Sequence, residues 1–327
     1  MNLLASLTAL LAPPPPPDAR VAAGLARIGE ILGAALSAER AFERRLGGPV
    51  GAALAHCDAL VEALPPAIDL QRSAFASDPM IHALFATADD IELTLGYSAE
   101  LREFLTTPEA WSDDYCHALM AARPQEKQVL GVARQGEVIA TDVPRRLLYF
   151  SDHTVVLPAI DAAAARERLR AAAFDSLLRT FASHLEAARE AHQQLHIARE
   201  LERARQYGAH ASEPEWALRH GRRLAELDER LRASADGQLP GRLVDTLADF
   251  LANAGQALSL QAMDVRVDRD GAIVADGSAS PADALSFMEL CARDRRRHVV
   301  IPVRIACSEA RQAVAHLREV RDRLLLI

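Results

Sequence analysis

The chain has 327 residues, of which 25% are charged and 50% hydrophobic, with a formal net charge of −8 and a pI near 5.8. That length suggests about two domains with ample core, and the acidic balance argues against the basic stripe of a dedicated nucleic-acid binder. Cys57, Cys116, Cys291 and Cys307 are widely scattered in apolar surroundings, a pattern of reduced, buried thiols in a cytosolic chain rather than of a disulfide framework. Aromatic residues are only 5%, so the core must be built from Leu, Ala and Val. Lys127 is the only lysine, which we read as the coding bias of a GC-rich genome.

Residues 1–17 begin with an apolar face of Leu3, Leu4, Leu7, Leu10 and Leu11, followed by a stiff polyproline spacer from Pro13 to Pro17. The segment has no positive n-region and no small-residue cleavage site, and it is too short to span a bilayer. No other stretch is apolar enough to cross a membrane, so a cytoplasmic protein is expected.

Residues 18–125 read as a helical domain. Leu25, Ile28, Leu32 and Leu36 mark one face of a first helix, which Gly47-Gly48-Pro49 should stop. A second helix through Leu54, Leu60 and Val61 ends at Pro65-Pro66. Asp78-Pro79 is an N-cap with proline in the first helical position. Ile91, Leu95, Leu101 and Leu105 continue the amphipathic pattern of a small bundle.

The pattern then becomes extended. Gln128–Arg134, a turn at Gln135-Gly136, and Glu137–Asp142 predict a β-hairpin. Arg145–Phe150 and Thr154–Leu157 predict further strands, separated by turns at Val143-Pro144 and Ser151-Asp152. These residues, 126–160, form the first part of an expected α+β head.

From Asp161, an N-cap by residue type, the chain contains no Gly or Pro until Gly208. Phe174, Leu178, Phe181, Leu185, Ala188, His192 and Leu195 recur at alternating steps of four and three, a seam that needs a partner helix. A tip near 207–214 leads through Ser212-Glu213-Pro214-Glu215, a capping box, into a return seam of Ala217, His220, Leu224, Leu227 and Leu231. Residues 161–257 are therefore expected to form an antiparallel helical hairpin, a coiled-coil-like arm with sides of about 45 residues each. Gly237 and Pro240 interrupt the return side, which could instead fold into a shorter bundle.

Residues 258–327 return to mixed character. A strand from Ser259 to Asp268 turns at Arg269-Asp270-Gly271 into Ala272–Ala275. A helix is expected from Ser280-Pro281 through Leu285, Met288 and Leu290, then a strand over His298–Ile305 and a helix over Ser308–Leu324. Arg134–Ala140 resembles Arg269–Ala275 in pattern, either as a distant internal repeat or as two hairpins with shared turn chemistry. The expected fold is thus α+β and predominantly helical: an N-terminal helical bundle and a small α+β head into which the long hairpin is inserted.

Chemistry is sparse. Asp152-His153 is the best catalytic pair, since a carboxylate can orient an imidazole base, with Arg145 nearby in sequence. Yet neighbours in an extended segment point opposite ways, and Asp at a turn commonly caps the backbone. His56-Cys57 and Cys116-His117 could supply four zinc ligands, but the spacing within each pair is wrong for a metal clip. His192 and His196 lie one helical turn apart without the HExxH pattern. Arg219–Arg223 and Arg293–His298 are basic clusters diluted by Glu226, Asp228 and Asp294. No P-loop, dinucleotide fingerprint or nucleophile elbow is present, so no cofactor and no metal are expected. The expected function is a non-enzymatic adaptor or assembly factor. Its partner is another protein, met by tip residues Tyr207, His210 and Trp216; the seam could also close between two copies as a homodimer. The alternative is an enzyme or ligand-binding regulator with a pocket near Asp152 and His153.

Overall fold

The computed structural model describes residues 18–135, 138–206, 214–275, 281–292 and 297–324. The apolar N-terminal segment, the hairpin turn at Gly136, the capping box at Ser212 and the arginines of 293–296 lie outside the described residues. The chain divides into two compact units, Met1–His56 with Phe174–Ala254, and Cys57–Ala173 with Gly255–Ile327. Of residues 18–125, those up to His56 fall in the first unit and those from Cys57 in the second.

The first unit is all-helical. Helices α1 (Ala19–Leu32) and α2 (Ala34–Ser37) precede α3 (Phe42–Glu62), which from Cys57 onward belongs to the second unit. Asp18 caps α1 by accepting from the Arg20 amide at 3.0 Å. Gly47-Gly48-Pro49 does not stop α3, contrary to the sequence expectation, and Pro49 lies inside the helix. The reason is tertiary: Leu46, Val50, Ala53, Cys57 and Val61 form one buried row at steps of three and four, which outweighs the propensity cost of proline. Helix α8 (Ala162–Gln206) opens, as expected, with Asp161 accepting from the Ala164 amide at 2.7 Å. Its Phe174, Leu177, Leu178 and Phe181 are buried. Arg27 of α1 forms a two-pronged ion pair with Asp175, at 2.7 and 2.6 Å.

Helices α8 and α9 (Pro214–Gly237) run antiparallel. Three cross-contacts fix the direction: His192 to Ser234 at 3.0 Å, Arg199 to Asp228 at 3.8 Å, and Glu202 to His220. The return seam is the inner face of α9, where Leu227 and Leu231 are buried and Leu224 half-buried. The two sides are not of equal length, however. α9 has 24 residues, and after Gly237 the chain turns into α10 (Pro240–Ala252), which packs against α2 and offers Asp245 and the Gly241 carbonyl to Arg45 of α3. The glycine-proline break thus ends the pair and returns the chain to the bundle.

The second unit is built on a six-stranded sheet. Its strands are β1 (Ile68–Asp69), β2 (Tyr115–Gln135), β3 (Val138–Ala159), β4 (Leu258–Val267), β5 (Asp283–Ala292) and β6 (Arg297–Ala306). The order is β3-β2-β6-β5-β4, all antiparallel neighbours, with β1 parallel to β6. Two expectations are corrected here. Residues Tyr115–Arg123 belong to a strand rather than a helical domain, with Cys116, Ala118, Met120 and Ala122 buried on one face. The stretch through Leu285, Met288 and Leu290 is strand β5 rather than a helix, with Leu285 and Phe287 turned into the core.

The β2–β3 hairpin is much longer than the expected one, because the presumed turns at Val143-Pro144 and Ser151-Asp152 are absorbed into β3. Pairing skips at three places, between His117 and Leu119, Ala121 and Arg123, and Gly131 and Ala133 of β2. Opposite these skips, Leu157, Asp152 and Asp142 of β3 adopt positive φ of 56°, 56° and 62°. These are β-bulges, which bend and twist the strand. The bend carries Phe150 of β3 to Phe287 of β5, 5.0 Å between ring centroids, across two intervening strands. The sheet therefore curls around its inner face. Residues 268–275 complete the curl: Ile273 donates to the Arg146 carbonyl at 2.7 Å, Leu148 donates to the Gly271 carbonyl at 2.9 Å, and Val274 donates to Arg266 at 2.8 Å. The expected second strand of this hairpin is reduced to isolated bridges at Ala272 and Ile273.

Short helices α4 (Pro79–Leu84), α5 (Ala88–Tyr97), α6 (Ala99–Phe104) and α7 (Pro108–Ser112) and the C-terminal helix α11 (Cys307–Leu324) complete the unit. The Asp78 cap is observed, accepting from Met80 at 2.8 Å. Ile81, Leu84, Ile91, Leu95, Leu101, Ala310 and Ala313 join the sheet residues in one core. Gly96 permits close approach of α5 to α11, since a β-carbon there would lie 3.0 Å from the Ala313 carbonyl. No described helix is long and apolar enough to cross a membrane.

Candidate functional site

The inner face of the curled sheet carries a cavity of about 740 Å³. Alternation along the strands explains its lining. Pro124 and Glu126 of β2, Leu148 of β3, Met263 of β4 and Glu289 of β5 continue the inward rows that bury Ala122, Phe150 and Phe287. Arg123, Asp152, Arg297 and His298 complete the wall. Asp152 reaches it from the bulge opposite Ala121 and Arg123, where an Asp tolerates positive φ better than most residues.

The charges are of both signs and unequally committed. The Glu289 side chain is only 10% exposed, and the Arg297 guanidinium stands 3.7 Å away, outside direct hydrogen-bond range. A carboxylate so covered is costly without a counter-charge at close quarters. Glu126 is neutralised from outside by Arg146, whose Nε donates at 3.0 Å. Asp152 accepts from Ser151 at 3.3 Å. Arg123 and His298 have no ion-pair or hydrogen-bond partner among the described residues. The cavity thus places the covered Glu289 carboxyl in one wall with the uncommitted Arg123 and His298 side chains. Glu289 was not singled out in the sequence; the available signal was a carboxylate in register with inward-facing Leu285 and Phe287.

The other sequence candidates are dispersed. His153 leaves the cavity: its Nε2 donates to the Leu84 carbonyl at 2.7 Å, and its ring stacks on Phe85 at 4.6 Å. Burial pushes its pKa below the ordinary histidine value. Asp152 and His153 are therefore placed in different surroundings, as neighbours in a strand are. Arg145 is occupied with Asp268, and its Cδ would lie 2.6 Å from a β-carbon at Gly131. Cys116 lies beside Cys307 rather than joining Cys57, and burial pushes its thiol up to about 12. Among the described residues no group of three or more His, Cys, Asp or Glu could hold a metal ion.

In the helical pair, Trp216 lies over His220, ring centroids 3.8 Å apart, while Tyr207 and His210 lie outside the described residues. Beyond the buried seam, Ile197 and Leu201 of α8 and Leu218 of α9 are left 46%, 56% and 62% exposed. The seam here is polar instead: Glu202 is buried and accepts from His220. No protein-family model matches the chain, and no curated protein and no solved structure is significantly similar to it.

Proposed function

We propose that this chain is a non-enzymatic adaptor or assembly protein that contacts another protein through the α8–α9 pair, a coiled-coil-like arm carried between the two sequence segments of the sheet unit. The supporting observation is an inversion of polarity near the end of the pair. Glu202, His220 and Arg199 occupy the inner side, where they specify register, while Ile197, Leu201 and Leu218 stand outside. Polar groups inside a helical pair commonly set alignment at a cost in stability, and large apolar groups outside it are suited to a second surface.

The test is capture of the tagged full-length protein from its host by chemical crosslinking, beside a Leu201→Glu, Leu218→Glu variant. Exposed positions are chosen because deleting the pair would also remove Phe174, Leu178 and Phe181, buried residues of α8, from the first unit. Loss of one defined partner, with unchanged circular dichroism, supports the proposal; equal capture by both proteins refutes it.

A second reading rests on the cavity: a regulator that binds a small polar ligand against Glu289, Arg123 and His298. Its size suits a small molecule, for which sites commonly enclose about 300–1,000 Å³. Native mass spectrometry of the purified protein tests it. A co-purifying small molecule that is lost in the Glu289→Gln, Arg123→Ala variant supports this reading, and an unliganded mass in both proteins counts against it.

A further inference from the structure

We propose that His192 and His196 form a clip for a divalent transition-metal ion on the α8–α9 pair. Residues four apart on a helix are stacked one turn above the other. Here the two Nε2 atoms face each other at 3.1 Å, with ring centroids 4.7 Å apart and planes at 81°. The Nδ1 of His192 lies 3.0 Å from the Ser234 hydroxyl of α9. With Nδ1–H donating to that hydroxyl, the Nε2 of His192 carries a lone pair directed at His196. A histidine ligand is characteristically held this way, one nitrogen toward the ion and the other hydrogen-bonded to a fixed partner.

The separation also suits an ion. Two nitrogens about 2.05 Å from a common metal and 3.1 Å apart subtend about 98°, between an octahedral right angle and a tetrahedral angle. Imidazole pairs of this kind favour Zn²⁺, Ni²⁺ and Cu²⁺. Without an ion, His196 Nε2–H donates to His192 Nε2. On binding, that proton moves to His196 Nδ1, so both Nε2 lone pairs become available and the neutral rings keep one proton each. His196 is exposed, which leaves the outer coordination positions to water. Because Ser234 belongs to α9, occupancy tightens the pairing of α8 with α9. The sequence spacing alone could not establish this, since it fixes neither ring orientation nor the bond to Ser234.

Isothermal titration of ZnCl₂ into tag-free, chelator-stripped full-length protein near pH 7.5 tests the proposal. One ion per chain should bind with an affinity on the order of micromolar. His192→Ala and His196→Gln should each weaken binding more than tenfold, Ser234→Ala about tenfold, and His316→Ala, in the sheet unit, should have no effect. Binding should also weaken as pH falls and protons compete for the rings. His196→Gln changes an exposed residue, so its circular dichroism should match the parent and keep the result interpretable. Absence of zinc binding, or binding unchanged in His192→Ala and His196→Gln, overturns the proposal.

Discussion

Glu202 of α8 accepts from Nδ1 of His220 of α9, and Trp216 covers the imidazole from the next turn. A carboxylate and an imidazole thus occupy the position where the seam predicts packing side chains. The His220 contact holds the Glu202 pKa below the ordinary glutamate value of 4.5.

That shift fixes a sign. A carboxylate with a depressed native pKa stabilises the fold above its unfolded pKa, and the contribution disappears as pH falls through the native value. Thermal melts should therefore show the helical pair weakening below about pH 4.5. Glu202→Gln should flatten that acid limb. Glu202→Ala, which leaves the His220 donor without its acceptor, should cost about 1–2 kcal/mol at neutral pH.

His153 titrates in the opposite charge sense but gives the same direction. Burial lowers its native pKa, so the neutral ring is favoured in the fold and acidification through the ordinary histidine range favours the unfolded chain. His117 is lowered by the same cause, with Arg304 adding to it. Stability of the sheet unit should fall between about pH 7 and 5. His153→Ala should reduce this slope and cost about 2–3 kcal/mol, through the lost Phe85 stacking and the unpaired Leu84 carbonyl, as measured by urea unfolding at two pH values.

Cys57, Cys116 and Cys307 are buried, and burial raises the thiol pKa of the latter two, that of Cys116 to about 12. A neutral thiol is a poor nucleophile. Thiol-specific reagents at pH 7.5 should leave these three unmodified in the native protein and label them only on unfolding. Mass spectrometry after timed labelling checks this residue by residue.

Two glycines should respond oppositely to added methyl groups. Gly96→Ala places a β-carbon 3.0 Å from the Ala313 carbonyl and 3.3 Å from Leu317 Cβ, and should destabilise by about 1–3 kcal/mol. Gly47→Ala, inside α3 with open space around it, should stabilise by about 0.5–1 kcal/mol. Denaturant midpoints distinguish the two.

Local chemistry made parts of this structure legible in the sequence. Asp78 and Asp161 announced helix starts because capping is decided within three residues. The seam through Phe174, Leu178 and Phe181 announced a partner helix because burial follows the helical period. What escaped was decided by distant contacts. Pro49 stays inside α3 because the row from Leu46 to Val61 is buried. β5 was masked by Glu289, whose charge breaks the inward alternation that Leu285 and Phe287 begin. That same violation marks the cavity, and Asp152 reaches the cavity through a bulge that no periodicity encodes.

The most direct measurement is site-specific photo-crosslinking in the host from Leu201, from Leu218 and from Asp264, an exposed residue of β4. Adducts to one and the same polypeptide from Leu201 and Leu218, with none from Asp264, are the expected result. Adducts of equal yield from all three positions, or from Asp264 alone, would contradict a partner-binding role for the helical pair.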